Sequence, residues 1–400
     1  MSKANLKDHR EIGRELDLFS FHQYAPGAIF WHPKGWLIYR TLVDYIREKT
    51  EEENYMEIST PVMIKNQLFK ESGHFEHFGE NMFNLKVDKE DYSLKPMNCP
   101  ESAIVFRSKT RSYNDLPLRL SEFGTLHRRE LSGVLGGLLR VRQFTIDDAH
   151  IFATSEQIHA EIQKLLKLTA EVYKSLGFKP RFYLATRPDK AMGDKESWKA
   201  AEKALEKALK QSKVSFDVKP KDGAFYGPKI DIHIYDSQNR DWQLATIQLD
   251  FQIPQSMKLD YVDRDGTKKR PVMVHRGIFG SLERFIGILL EHTQGNLPVW
   301  LSPIQTIVLP VSDKFTDFAQ KTTQKIRSGG IRAELDKRVE TLQAKIRDAL
   351  LQKIPYILVV GEKEQKSAKV SVRERNHKDL RQMTTDELIG EIKADIEKKV

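Results

Sequence analysis

The chain has 400 residues, 40% of them hydrophobic, enough to bury a large core in roughly two or three domains. Its basic residues outnumber its acidic ones, 65 against 56, a net charge of +9 that suits a polyanionic partner without identifying one. A single cysteine excludes an internal disulfide scaffold, no stretch approaches the roughly 18 apolar residues of a membrane span, and MSKANLKDHREIG lacks the apolar segment of a secretion signal, so a cytoplasmic, reducing location is expected.

Residues 36 to 49 (WLIYRTLVDYIREK) carry apolar positions at helical spacing, and the strand-like YMEISTPVM follows, stopped by Pro61. Residues 117 to 128 and 140 to 153 alternate as strands around the Gly-rich LSGVLGGL, which predicts a long antiparallel hairpin. Thr154 and Gln157 have capping-box spacing before a helix over 158 to 176. A strand is predicted near 181 to 186, then the charged helix KESWKAAEKALEKALKQS, then the strands KIDIHIYD and DWQLATIQLDFQI, the second buried for much of its length.

After Pro303 the pattern changes to strands alternating with helices: TIVLPV, 314 to 328, IRAEL, 341 to 353, YILVVG, KVSVRER and a helix from 384. The expected fold class is therefore α+β, an antiparallel-sheet domain over 1–303 followed by a small α/β domain over 304–400 with a mostly parallel sheet.

The lone cysteine lies in SLKPMNCPES. Cys99, His150 in DDAHIF and His275 in VMVHRG form a donor set that zinc favours, and three ligands would leave a fourth position open, as working zinc sites do. They are too far apart in sequence for any local zinc signature. Spacing alone therefore leaves three readings: a zinc site, a packed thiol with two core histidines, or a nucleophile.

The company of these residues narrows the choice. SEFGTLHRRE ends a strand in an Arg and an acid, and GSLERFIGILLEH opens a helix with Arg284 in its first turns. They resemble motifs 2 and 3 of the class II aminoacyl-tRNA synthetases, with the segment ending at Pro61 as motif 1. KPMNCP, LRLSEFG, LRVRQFTIDDAHIF, AFYGPKIDI, QLDF, VMVHRGIFGSLERFIGIL and PVWLSP follow in the order and rough spacing of the threonyl-tRNA synthetase family, over nearly the whole chain.

The resemblance implies activation of threonine by ATP with Mg2+, then transfer to tRNA(Thr). It implies that Arg128 grips the α-phosphate and the carboxylate, Glu130 faces the adenine amino group and Phe144 stacks on the ring. Arg284 would lie against the other face or near the γ-phosphate, Arg140 would meet the phosphate tail, and Gln243 would belong to the same site. Cys99, His150 and His275 would hold one zinc ion that takes the amino and hydroxyl groups of threonine, so that valine, with no hydroxyl, is rejected. Asp148 would take the hydroxyl proton, with Tyr226, Lys229 and Gln248 lining the pocket. His74, in GHFEHF, matches the family histidine implicated in transfer to the terminal adenosine; no metal is expected at His74 and His77.

Residues 304 to 400 resemble the family's anticodon-binding domain, in which Glu364 and Arg373 match base-reading positions. Motif 1, residues 36 to 62, implies a homodimer. Three departures qualify the match. RVETLQAKIR replaces the usual Asn-Glu, Ile-Gly pattern, and Ile146 occupies a position where Gln is common. The usual bacterial members also carry two N-terminal domains, one for editing, so seryl-tRNA formed by these 400 residues is expected to persist unless another protein removes it. Two alternatives remain at this level, a non-catalytic RNA-binding paralogue and an enzyme charging a carrier other than tRNA.

Overall fold

The structure, a computed structural model, describes residues 6–375, 377 and 379–399. Backbone packing divides it into two compact units, one of Phe21–Phe30 and Val43–Leu289, the other of Met1–Ser20, Trp31–Leu42 and Leu290–Val400. The elements used below are α1 (Pro33–Glu52), β1 (Met56–Glu57), α2 (Cys99–Arg107), β2 (Leu118–His127), β3 (Gln143–Ala153), α3 (Ile158–Ser175), β4 (Arg181–Ala185), α4 (Lys195–Gln211), β5 (Phe216–Lys219), β6 (Lys229–Tyr235), β7 (Asp241–Asp250), β8 (Val272–Ser281) and α5 (Leu282–Thr293).

The first unit is built on an eight-stranded sheet in the order β5-β4-β6-β7-β8-β3-β2-β1. Its five inner pairings, from β4·β6 to β3·β2, are antiparallel, and the two edge pairings are parallel. β2 and β3 form the expected long hairpin, in register from Leu118 opposite Phe152 to His127 opposite Gln143. Leu118, Leu120, Phe152 and Met273 pack with Ala103, Phe106 and Cys99 on one face of the sheet, so the cysteine sits at the margin of an apolar cluster. From Val272 to Phe279, β8 is buried at every residue, as a central strand covered on both faces must be. It breaks register between Gly277 and Ser281. Gly280 there has φ +65, and a Cβ would meet the Leu244 carbonyl at 2.9 Å, so only glycine fits the turn into α5.

Local differences from the sequence reading have physical causes. YMEISTPVM is mostly not strand: β1 keeps two residues, and pairing resumes only at Met63–Lys65, beyond Pro61. DWQLATIQLDFQI ends as a strand at Asp250, whose carboxylate accepts from the Gln252 and Ile253 amides and starts a short helix, Gln252–Ser256. The capping box before α3 is half formed. Gln157 accepts from the Thr154 amide, but its amide group donates to the Leu116 carbonyl, and the helix starts at Ile158.

The second unit contains a five-stranded sheet. Its elements are β9 (Thr306–Pro310), α6 (Thr316–Ser328), β10 (Ala333–Leu335), α7 (Leu342–Leu351), β11 (Tyr356–Val360), α8 (Glu362–Ser367), β12 (Val370–Glu374), β13 (Arg381–Met383) and α9 (Thr385–Lys398). Alternation sorts β9 and β11 onto two faces. Val308, Leu358 and Val360 pack with Ala319, Ile326, Leu388 and Ile392 of α6 and α9, while Ile307, Leu309 and Ile357 pack with Ala349 of α7. The sheet is mixed rather than mostly parallel: β10-β9-β11 are parallel, and β12 and β13 return antiparallel. The hairpin partner β13 and the short α8 have no strong periodicity, which is why the sequence reading omitted them.

Candidate active site

Strand register assembles the site. Lys229 on β6 faces Gln248 on β7, Gln248 faces His275 on β8, and His275 faces His150 on β3. Cross-strand partners share a face, so these four residues form one row across four strands. Two residues along each strand, a second row on the same face runs Asp231, Thr246, Gly277, Asp148 and Glu122.

Cys99 closes the first row from above. It is the first residue of α2 and is followed by Pro100, which suits a first helical turn. The donor atoms of Cys99, His150 and His275 lie within 4.8 Å of one another, and all three residues are buried. Each histidine is oriented by its outer nitrogen. His150 Nδ1 lies 2.9 Å from Ser102 Oγ, and His275 Nε2 lies 2.9 Å from Asp250 Oδ2. The inner His150 Nε2 is buried without a hydrogen-bond partner. Burial, reinforced by Asp148, Glu101 and Asp250, pushes the Cys99 thiol up, so its thiolate requires a compensating cation. One soft thiol ligand and two imidazoles, buried and preoriented, fit zinc.

The residues predicted to surround the amino acid are adjacent. Asp148 accepts from Asn98 Nδ2 at 3.2 Å, and burial raises its pKa to about 6. Asn98 packs over Gly124, where a Cβ would lie 2.1 Å from Asn98 Oδ1, so the glycine makes room for it. Tyr226 stacks on His275, with centroids 4.9 Å apart, and donates to Gln248 Oε1. Lys229 Nζ is held by Asp231 Oδ2 at 2.7 Å, and Gln243 Nε2 donates to Asp231 Oδ1 at 2.6 Å. Asp231 was not singled out from the sequence, although its place two residues from Lys229 in KIDI puts both on one face. His74 is fully buried, with Nδ1 2.8 Å from Ser72 Oγ and Nε2 3.6 Å from Cys99 Sγ. Burial first, then the neighbouring His275 and His77, lowers its pKa to about 3.

A cavity of about 530 Å³ adjoins these rows and is lined by Arg128, Glu130, Arg140, Phe144, Gln243 and Arg284, the six residues expected around ATP, together with Ile146 and Trp242. The Arg128 guanidinium lies 5.1 Å from the Phe144 ring centre, and that of Arg284 lies 5.3 Å from Trp242. Trp242 is a partner the sequence reading missed; its indole is pinned by a 2.8 Å bond to Asp236 Oδ2. Burial and the like charge of Arg140 both oppose the charge on Arg284, whose Nε has no partner, an environment that an anion relieves. Glu130 pairs with Arg140 at 2.8 Å. Glu283 braces the start of α5 by accepting from the Thr145 amide at 3.0 Å and Ser281 Oγ at 2.9 Å, which fixes the backbone that carries Arg284.

Buried Arg276 was also missed. It meets Asp147 Oδ2 at 3.2 Å, while Asp147 accepts from the Ile278 and Phe279 amides and locks β8 to β3. In the second unit, Glu364 caps its own helix, with Oε2 on the Gly361 amide at 3.0 Å and Oε1 on Ser371 Oγ at 2.7 Å. Arg373 lies on β12 opposite Ile357 and has a buried Nε without a partner.

Residues 83–293 match the family described as tRNA synthetase class II core domain (G, H, P, S and T), and residues 305–395 match an anticodon binding domain. The chain therefore belongs to the class II tRNA synthetases. Within that class it is 49% identical over 399 residues to the threonine–tRNA ligase of Caldanaerobacter subterraneus and 48% identical to that of Carboxydothermus hydrogenoformans. All of this chain is covered, but only 62% and 63% of those relatives, so it spans under two thirds of their length. A crystal structure described as the RNA binding domain of threonyl-tRNA synthetase from Cryptosporidium parvum superposes with a TM-score of 0.94 at 42% identity, covering 97% of this chain and 98% of that one. A Giardia lamblia prolyl-tRNA synthetase at 17% identity and a TM-score of 0.77 shares the fold.

Proposed function

We propose that the chain is a threonine–tRNA ligase, joining threonine to ATP as threonyl-adenylate and passing the threonyl group to tRNA(Thr). The observation that carries this reading is the buried Cys99, His150 and His275 cluster beside an arginine-lined cavity on one sheet. We take 1–303 as the aminoacylation domain and 304–400 as the anticodon-binding domain.

In activation, a threonine carboxylate oxygen attacks the α-phosphorus of Mg2+-bound ATP while the bond to the β-phosphate breaks and pyrophosphate leaves. Arg128, Arg140 and Arg284 line the cavity and neutralise the charge that grows in that displacement. Phe144 and Trp242 supply aromatic surface in the same cavity. Cys99, His150 and His275 would hold zinc, which when bound offers an open Lewis-acidic position for the amino and hydroxyl groups of threonine. Asp148, steadied by Asn98, is the acceptor for the hydroxyl proton. Tyr226, Gln248 and Lys229 orient the rest of the amino acid. In transfer, a terminal ribose hydroxyl attacks the carbonyl carbon and AMP departs; His74, inside the site, is the group we assign to the hydroxyl proton. For the anticodon, Arg373 brings an uncommitted donor, and the Glu364 oxygens each keep a lone pair beyond their capping bonds. Motif 1 supports a homodimer, and the family resemblance supports a cytoplasmic location; no helix among the described residues is long and apolar enough to cross a membrane.

ATP–pyrophosphate exchange with threonine, serine and valine, followed by transfer to tRNA(Thr), tests the reading. Threonine is expected first, serine weaker by about 10- to 200-fold for its missing methyl, and valine last. Absence of threonine-dependent exchange would sink it.

A further inference from the structure

Helix α4 has two chemically distinct faces. Trp198, Ala201, Leu205, Ala208 and Leu209 are buried, while Lys195, Lys199, Lys203 and Lys207 recur every four residues on the exposed side. At 1.5 Å per residue, successive lysines stand about 6 Å apart along a ridge of about 18 Å. Among the described residues, none of the four forms an ion pair or hydrogen bond; Glu206 is taken by Lys210 at 2.6 Å, and Glu202 accepts from the Arg187 amide. Like charges four apart repel along a helix, so the repeat opposes the helix that bears it. Among the described residues of α4 and its N-cap, Asp194 and Glu196 are the exposed acids left to offset it.

The ridge begins at the end of α4 that is tied to the active site. Trp198 Nε1 donates to the Met192 carbonyl at 2.7 Å, and the Met192 amide donates to the Phe225 carbonyl at 2.8 Å. The Phe225 ring lies 4.8 Å from Tyr226. A row of cations without ion-pair partners, spaced like successive phosphates of a strand, on a helix joined through Met192 and Phe225 to Tyr226 of the amino-acid pocket, is complementary to a nucleic-acid stem whose end enters that pocket.

We propose that the α4 ridge binds the phosphate backbone of the acceptor-side stem of tRNA, a double-helical RNA contact that does not read bases. It rests on the ligase reading above. The test is the full chain carrying K199Q, K203Q and K207Q together, compared with K199R, K203R and K207R together. Binding of a tRNA(Thr) transcript is followed against KCl concentration, and threonine-dependent pyrophosphate exchange is measured alongside. The Gln variant should keep exchange, lose about tenfold or more in tRNA affinity, and flatten the slope of log affinity against log salt by roughly 2 to 3, about one per phosphate contact; the Arg variant should keep the wild-type slope. An unchanged slope in the Gln variant overturns the proposal, as does loss of binding to anionic phospholipid vesicles with tRNA binding intact. A flattened slope in a protein without threonine-dependent exchange would support the ridge and defeat the ligase reading, so the two can fail separately.

Discussion

The Cys99, His150 and His275 cluster and the arginine-lined cavity share one sheet yet are organised in opposite ways. The cluster is closed: Cys99, His150 and His275 are buried, and Ser102 and Asp250 fix the rings from behind. The cavity is open, and its cations rest on aromatic rings, with Arg128 over Phe144 and Arg284 over Trp242. A small rigid group needs donors fixed in advance, because misplaced ligands lose metal geometry. A large flexible polyanion is met by guanidinium groups laid flat on aromatic faces, which position the charge and leave edge N–H donors for the ligand.

Five changes would break or sharpen this contrast. Cys99→Ala should have the largest effect, abolishing threonine activation and the zinc content of about one per chain that the proposed site implies; elemental analysis of the wild type and the purified variant checks it. Arg128→Ala should lower the rate of pyrophosphate exchange by about 100- to 1,000-fold, the scale of losing one charge-stabilising donor, with zinc content unchanged. Asp250→Asn leaves all three donors but loosens His275, so metal affinity should drop by about 10- to 100-fold in competition with a chelator. Trp242→Leu removes the ring beneath Arg284 and should raise the KM for ATP by about 2- to 30-fold, from a cation–π contact of about 0.5 to 2 kcal/mol, while the KM for threonine stays put.

The smallest effect concerns Glu283, whose pKa burial raises from 4.5 to about 7. The folded state therefore holds a proton that the unfolded chain has released between those values. The stability this adds is complete below about pH 4.5 and is lost as pH rises to about 7. Glu283→Gln should lose less stability than the wild type between about pH 5 and pH 8, as read from urea midpoints. Equal losses would mean that Glu283 stays ionised in the fold.

Which residues come together at the candidate site was legible in residue types and their order. The strands, the charged helix and the change of pattern near residue 303 followed from periodicity, because burial on one face of a strand or helix writes itself into the local sequence. All six residues expected around ATP line one cavity, and Cys99, His150 and His275 converge. The supporting residues were not legible. Asp250, Ser102, Trp242, Glu283 and Arg276 look like ordinary strand and helix residues until register is known. The short β13 and α8 carried too little periodicity to notice.

Sequence by itself determined which donors and cations this protein brings, and in which elements. Only the tertiary structure decided that His150 and His275 face each other across antiparallel strands, that Lys229 and Gln248 extend their row, and that α2 lowers Cys99 onto it. The reason is that side-chain direction along one strand is local, with a period of two residues, whereas register between strands is fixed by the packing of the whole sheet, and a slip of one residue would turn the entire row to the opposite face.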